Sequence, residues 1–530
     1  MLKFAKPYRK ALWIYLLLEL AAVALGLLFV WWSKKAIDYA MMHKAAEAQQ
    51  AILFFVLAAI AGLVCTRYSA WINQRMQTQM LIRLQNQVIR AQMDARWEVA
   101  QHWHTGDMMV RINSDCQEVV QVIGYTSIST LVTLIRLLGA AGLLYWMDPI
   151  LSVLILAVSP LILLSKTYFI RMRKLNQAVK KAESALGRVV QENLRFRLSI
   201  RALSLDTPRW QKVEDSQRRT YTIKMALLKF ATRSRFIMKA AVQTGFMVAF
   251  IWGVYRLQAD EITFGTLSAF LQLVSRIQGP VIALMGAVPL FVRFRTSMDR
   301  LHEILLEDQE VLPTAERLPG VEQLSLRGVS FGYGNHLVIH RLNAQFEKGK
   351  PTAIVGPSGK GKTTLIRLLL ALFEPTQGEI TLTTGGECRP LSARHRANFA
   401  YVPQGDQLFS STIRENLQVN GMQVSDDKLH EALATACATF VYDLPQGLDT
   451  ELGESGFGLS EGQAQRIAIA RALLRGAHIW LFDEVTSALD PDTAAELTQR
   501  LLAAGRQHIL IFVTHDMRLA AACDRQLYME

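Results

Sequence analysis

Thr352-Ala-Ile-Val-Gly356-Pro357-Ser358-Gly359-Lys360-Gly361-Lys362-Thr363-Thr364-Leu-Ile-Arg-Leu-Leu-Leu370 is the stretch from which the architecture of this chain can be read. Four β-prone apolar residues run into a glycine-rich turn that satisfies G-x-x-x-x-G-K-[ST], and an apolar, helix-forming run follows. In such a strand–loop–helix setting the glycines let the backbone wrap a row of phosphates. The loop N–H groups and the helix N-terminus supply positive dipole, Lys362 neutralises the terminal phosphates, and Thr363 offers a hydroxyl to Mg²⁺. The candidate cradle is Gly356, Pro357, Ser358, Gly359, Lys360, Gly361, Lys362, Thr363 and Thr364. A plain glycine turn before a helix has no need of the Lys-Thr pair in that register, so the reading is a nucleotide site.

Further along, His478-Ile-Trp-Leu-Phe-Asp483-Glu484 is a buried-type strand that ends in two acids. Asp483 suits the Mg²⁺ shell and Glu484 is placed to polarise an attacking water, although acids at this point also suit a helix cap. Between the two stretches, Leu459-Ser460-Glu461-Gly462-Gln463 resembles the Leu-Ser-Gly-Gly-Gln signature of the ATP-binding cassette (ABC) family. Other elements of that family stand around it in the family's order. Tyr333 resembles the aromatic that stacks on adenine, Gln404 in Tyr401-Val-Pro-Gln404 the Q-loop glutamine and a further Mg²⁺ contact, Asp490 the D-loop acid, and His515 the switch histidine. Singly these are a strand aromatic, a turn residue and two polar groups at element ends. Together the resemblance implies Glu484, His515 and Gln404 as the catalytic set. It also implies that Ser460, Gly462, Gln463 and Asp490 contact ATP.

The first 295 or so residues have a different texture. The 530-residue chain is 51% hydrophobic and 19% charged, too apolar for an ordinary soluble enzyme. Residues 11–33 are apolar except for Glu19, and about 20 residues suffice to cross the hydrocarbon core as a helix. Bulky Trp31-Trp32 and then Lys34-Lys35 follow, where a signal peptide would carry small residues and a cleavage site. Further spans are expected at 51–70, 127–147, 149–169, 236–255 and 267–290, which places both termini on the cytoplasmic side. Residues 166–235 hold roughly 18 Lys/Arg against about 5 acids, the bias of a cytoplasmic segment. That topology accounts for most of the net charge of +13 and removes the motive for a nucleic-acid partner. Five scattered cysteines give neither a disulfide framework nor a zinc site. The acidic run ending at Pro313 reads as a linker over 311–320, between a membrane domain at 1–310 and a nucleotide-binding domain at 321–530.

This half too resembles the family. Gly106-Asp107-Met-Met-Val-Arg111 is similar to the first cytoplasmic loop of exporter-type membrane domains, Ile262-Thr-Phe-Gly265 and Gly279-Pro280 to their sixth helix, and Thr450-Glu-Leu-Gly-Glu454-Ser-Gly456 to the stretch that touches the membrane helices. The fold class so implied is an α-helical six-span ABC exporter-type transmembrane domain followed by an α/β P-loop ABC nucleotide-binding domain. There are three departures. Glu461 replaces a signature glycine, Lys360 fills a position that is usually small, and the sequence ends soon after His515 without the family's usual last helices.

The resemblance implies a half-transporter in a bacterial cytoplasmic membrane. Two cassettes close on two ATP molecules, and a second copy of the chain, or a paralogous half-transporter, completes each site. The expected partners are membrane lipid and a transported small molecule, lipid or peptide. Arg136 and Arg276 fall near mid-membrane in these spans, which favours amphipathic or anionic cargo. Rival readings are a membrane ATPase that regulates or gates a channel, and an exporter-shaped importer.

Overall fold

A computed structural model describes residues 6–101, 103, 105–158, 166–306, 309–310, 314–334, 336–357, 359–405, 408–418, 423–453 and 458–529. The chain forms two compact units. One is Met1–Arg90 with Thr105–Leu306, the other Ala91–His104 with Glu307–Glu530.

The first unit is helical: α1 (Arg9–Met41), α2 (Ala45–Met93), α3 (Gly106–Met147), α4 (Pro149–Val158), α5 (Lys166–Arg195), α6 (Asp206–Gln258) and α7 (Phe264–Leu305). Helices α1, α2, α3 and α6 are each long and apolar enough to cross a membrane. The expected span at 149–169 begins in α4 and runs onto residues 159–165, outside the described set; 267–290 lies within α7. Long side chains such as Leu17, Phe54, Leu63 and Leu138 stand exposed on these helices, as a lipid-facing surface requires, while Val30, Leu144, Leu151, Ala249, Phe270 and Ile277 close the interior.

Polar residues set the corners. Asp148, buried, stops α3 and caps α4 by accepting from the Ile150 and Leu151 N–H groups, and its other oxygen accepts from Trp252 Nε1 on α6 at 3.0 Å. Thr263 caps α7 by accepting from the Thr266 N–H. The stretch that resembles the first cytoplasmic loop is itself helical and begins α3, with π-helical turns at Arg111–Asp115 and Val122–Thr126. Arg111 and Arg300 there bind Asp107, Asp115 and Glu303 and tie α3 to the end of α7.

The second unit has two sheets. β1 (Gln323–Tyr333), β2 (His336–Glu347), β4 (Gln377–Thr384) and β5 (Glu387–Pro390) form an antiparallel sheet in the order β2-β1-β4-β5. The second sheet is parallel, in the order β6-β7-β8-β3-β9, from β3 (Thr352–Val355), β6 (Phe399–Val402), β7 (Ile479–Asp483), β8 (Ile509–Val513) and β9 (Arg525–Tyr528). Strands β3, β7 and β8 are buried throughout, which explains their unbroken apolar sequences. Helices α8 (Lys362–Leu369), α9 (Ile413–Leu417), α10 (Asp426–Thr435), α11 (Glu461–Leu474), α12 (Pro491–Ala504) and α13 (Met517–Ala522) cover the sheets. Of the segment read as a linker, 311–313 lies outside the described residues. Leu318 is buried against this unit, its N–H donating to Asn398 Oδ1.

Candidate nucleotide site

Three parallel strands, β7, β8 and β3, end side by side, and the candidate residues follow their carboxyl ends, where open α/β sheets bind ligands. β3 hands the chain to the glycine loop. Gly359 and Gly361 take φ of +84° and +86°, and a Cβ at Gly361 would stand 2.9 Å from Val338 Cγ1. A Cβ at Gly356 would stand 2.6 Å from the Met529 carbonyl. The loop therefore needs its glycines for backbone conformation and for room. α8 starts at Lys362, whose ammonium folds back to donate to the carbonyls of Gly356 and Pro357. Thr363 and Lys360 are exposed and Thr364 is buried beneath the loop, while Ser358 lies outside the described residues. Tyr333, at the end of β1, packs edge-on against Phe331 and Phe373 and receives a hydrogen bond from Arg367. It keeps 39% of its surface exposed.

The two acids after β7 differ in environment. Asp483 is buried, and desolvation first, then the Glu484 charge, pushes its carboxyl up to about 6, with Lys362 opposing. Glu484 has φ +49°, a left-handed conformation unusual for a side-chain-bearing residue. Its backbone is clamped, since its N–H donates to the Val513 carbonyl at 2.9 Å and its carbonyl accepts from Gln465 Nε2 and Ser487 Oγ. Its carboxylate receives Gln404 Nε2 at 2.7 Å and lies 3.4 Å from His515 Nδ1. Three residues chosen from sequence positions 404, 484 and 515 thus meet at one carboxylate.

The family description "ABC transporter" matches residues 339–487, and "ABC transporter transmembrane region" matches residues 12–281, half of the chain. The chain belongs to the ABC transporters. An ABC transporter ATP-binding protein of Sinorhizobium fredii, y4gM, is 30% identical over 80% of this chain and 74% of its own length. The ATP-dependent lipid A-core flippase of Desulfotalea psychrophila is 28% identical over 96% of this chain and 90% of its own length. A bacterial Atm1-family ABC exporter with ATP bound has the same fold, with a TM-score of 0.81 at 22% identity over 98% of this chain and 94% of that one. The transporter is accordingly an integral membrane protein of exporter-type fold that binds ATP and couples its hydrolysis to transport.

Other candidates in the transporter stand apart from this cluster. Ser460 caps α11 in a reciprocal box, accepting from the Gln463 N–H at 3.2 Å while its own N–H donates to Gln463 Oε1 at 2.9 Å. Among the described residues, no hydrogen bond or ion pair joins Ser460, Gly462 or Gln463 to the phosphate loop of the same chain. Gly462 packs where a Cβ would come within 2.7 Å of the Ala488 carbonyl, and Glu461 is exposed in the first turn of α11. Asp490 caps α12, and the Thr493 N–H holds its carboxyl below the usual range.

Sequence reasoning passed over three residues. Gln465 and Ser487 hold the Glu484 carbonyl, and buried Asn416 clamps the chain beyond Gln404, accepting from the Phe409 N–H and donating to the carbonyls of Phe409 and Thr412. The available signal was a glutamine two residues before the buried Ile467-Ala-Ile-Ala run of α11, and an asparagine beside buried Leu417. Beyond Asn416, Thr412 bridges to Glu451, and the Leu452 N–H donates to Ser411. The first part of the Thr450–Gly456 stretch is thereby tied to the Q-loop segment; residues 454–456 lie outside the described set.

Proposed function

We propose that the chain is a half-transporter that works as a dimer with itself in a bacterial cytoplasmic membrane, exporting an amphipathic or anionic solute by alternating access. The observation that carries the reading is the meeting of Gln404, Glu484 and His515 at one strained, clamped carboxylate next to a phosphate-binding loop. In this reading residues 1–310 are a six-span membrane domain, 311–320 a linker and 321–530 the nucleotide-binding domain. The loop from Gly356 to Thr364 takes the phosphates, and Tyr333 lies beside the base. Glu484 accepts the proton of the attacking water while His515 and Gln404 hold its carboxylate in place. Ser460, Gly462, Gln463 and Asp490 act on the ATP of the other subunit, which agrees with their separation from their own loop.

The donor set also fits Mg²⁺. Asp483 is a buried carboxylate acted on by Lys362, the residue before Thr363, and it directly precedes Glu484, whose carboxylate Gln404 bonds. The ion would supply charge neutralisation at the phosphates, and Asp483, Thr363 and Gln404 would hold it. The tight Ser411–Thr412 to Glu451–Leu452 contacts support a mechanical role for that stretch, carrying nucleotide-driven changes at Gln404 outward.

Reconstitution in sealed vesicles tests the whole reading. Added ATP should drive a labelled amphipath against its gradient, and Lys362→Ala should abolish the transport. Undiminished ATPase with no net movement of any amphipath would instead favour a regulator or channel gate.

A further inference from the structure

Glu19, Gly26 and Ser33 recur every seven residues along α1 and so share one face of it. Each meets a polar group of another helix. Ser69 of α2 donates to Glu19 at 2.7 Å, and Gln272 of α7 donates to Ser33 at 3.2 Å. At Gly26, midway along α1, the group is the Arg276 guanidinium of α7, placed so that a Cβ on Gly26 would stand 2.7 Å from Nη1. Arg276 also lies 6.0 Å from the centroid of Phe29, whose ring packs on Phe55 at 4.4 Å. The charged group close enough to act on Arg276, among the described residues, is another cation, Arg136 of α3.

Neither arginine has a carboxylate in ion-pair range among the described residues. Glu19 is seven residues away along α1, about 10 Å at the helical rise, and is engaged by Ser69. Two guanidiniums of like sign, one in the apolar part of α3 and the other on α7 within the expected span 267–290, repel one another and lack the partner that intramembrane charges ordinarily keep. An oxyanion between them removes both costs, since each guanidinium presents a planar fork of N–H donors to phosphate-like oxygens. The neighbouring Phe29–Phe55 pair offers an apolar wall on the same side.

We propose that Arg136 and Arg276 form the headgroup clamp of the cargo site, that Gly26 is the notch which lets Arg276 reach it, and that the cargo is an amphipath with a phosphate-class oxyanion head. This deepens the transporter reading and rests on it. The apolar body of the cargo lies against Phe29 and Phe55.

Native mass spectrometry of the purified full chain, titrated with myristoyl lysophosphatidic acid or myristoyl lysophosphatidylcholine, tests the clamp. The lysophosphatidic acid should bind tighter. Arg136→Gln with Arg276→Gln should erase that preference with a loss of roughly tenfold or more, the size expected for a severed charge-assisted bond. The corresponding Lys pair should keep most of it. Gly26→Leu should lose it with both arginines intact, and retained binding of an ATP analogue reports that each variant is folded. Inorganic phosphate at equal concentration should not displace the lipid; if it does, the site takes free phosphate and the amphipathic cargo is overturned. Equal binding of both lipids, or an unchanged preference in the Gln pair, overturns the clamp. ATP-driven lipid movement in vesicles is scored separately. Arginine-dependent binding without movement defeats the transport reading alone, whereas movement with arginine-independent binding defeats the clamp alone.

Discussion

Glu484 occupies a left-handed conformation that costs a residue with a Cβ about 1–2 kcal/mol, and five neighbours hold it there through its backbone and carboxylate. Strain kept at such expense implies that the position of the carboxylate matters more than local stability. Replacement of Glu484 by Gln preserves shape and hydrogen-bonding capacity while removing the basicity. Steady-state ATP hydrolysis should fall on the order of a hundredfold, with ATP binding retained, as read by a coupled phosphate assay and a fluorescent nucleotide titration. Turnover near the parent value would remove Glu484 from the role of base. The acid itself was legible in the sequence because it follows an apolar strand. Its clamp was not, since Gln465 and Ser487 act on a main-chain carbonyl, and no pattern of side chains announces which carbonyl a glutamine will find.

At the scale of elements, the phosphate loop and the acid-terminated strand declared themselves through a local rule, a glycine register and a buried run, and the signature helix through its resemblance to the family signature. Connections between elements obey no such rule. Asn416 illustrates the difference, for it fixes the segment beyond Gln404 by bonding both main-chain groups of Phe409, seven residues back. Asn416→Ala would leave those part-buried groups without their partner and should destabilise the nucleotide domain by about 1–2 kcal/mol, measured by denaturant unfolding. If the Q-loop segment carries motion to Glu451 and Leu452, the same variant should lose stimulation by cargo more than basal hydrolysis. α3 gives a second case. Its start resembled a loop, yet it is helix, with Arg111 paired to Asp107 and Glu303 and Arg300 of α7 paired to Asp107 and Asp115, while the second π-helical turn holds Gly124. Glu461 belongs here as well. It is exposed in the first turn of α11, where a carboxylate meets the positive end of the helix dipole, so Glu461→Gly should cost that helix about 0.5–1 kcal/mol by thermal melting. A gain in stability would contradict the assigned place.

At the scale of the whole molecule, the decisive feature is a separation. Ser460, Gly462 and Gln463 bond to each other and to their neighbours but make no bond to the phosphate loop of their own chain among the described residues. In the proposed dimer those residues serve the ATP of the second subunit, and a closed two-fold pair supplies two such sites at once. The chain retains Glu484, His515 and an intact loop, which is what each half of an equal pair must contribute. Mixing experiments separate this arrangement from a pair with a paralogue. A Lys362→Ala subunit has a damaged loop and a sound signature, and a Ser460→Arg subunit has the reverse. Each should be inactive alone. Coexpressed, they form mixed dimers in which one site joins the sound loop to the sound signature while the other joins the two damaged parts. With random pairing, half the dimers are mixed and each has one working site of two, so ATPase should recover to about a quarter of the parent value. Recovery at that level places the signature in trans within a homodimer. No recovery, with mixed dimers verified by differential tags, would mean that the sites do not form between two copies of this chain.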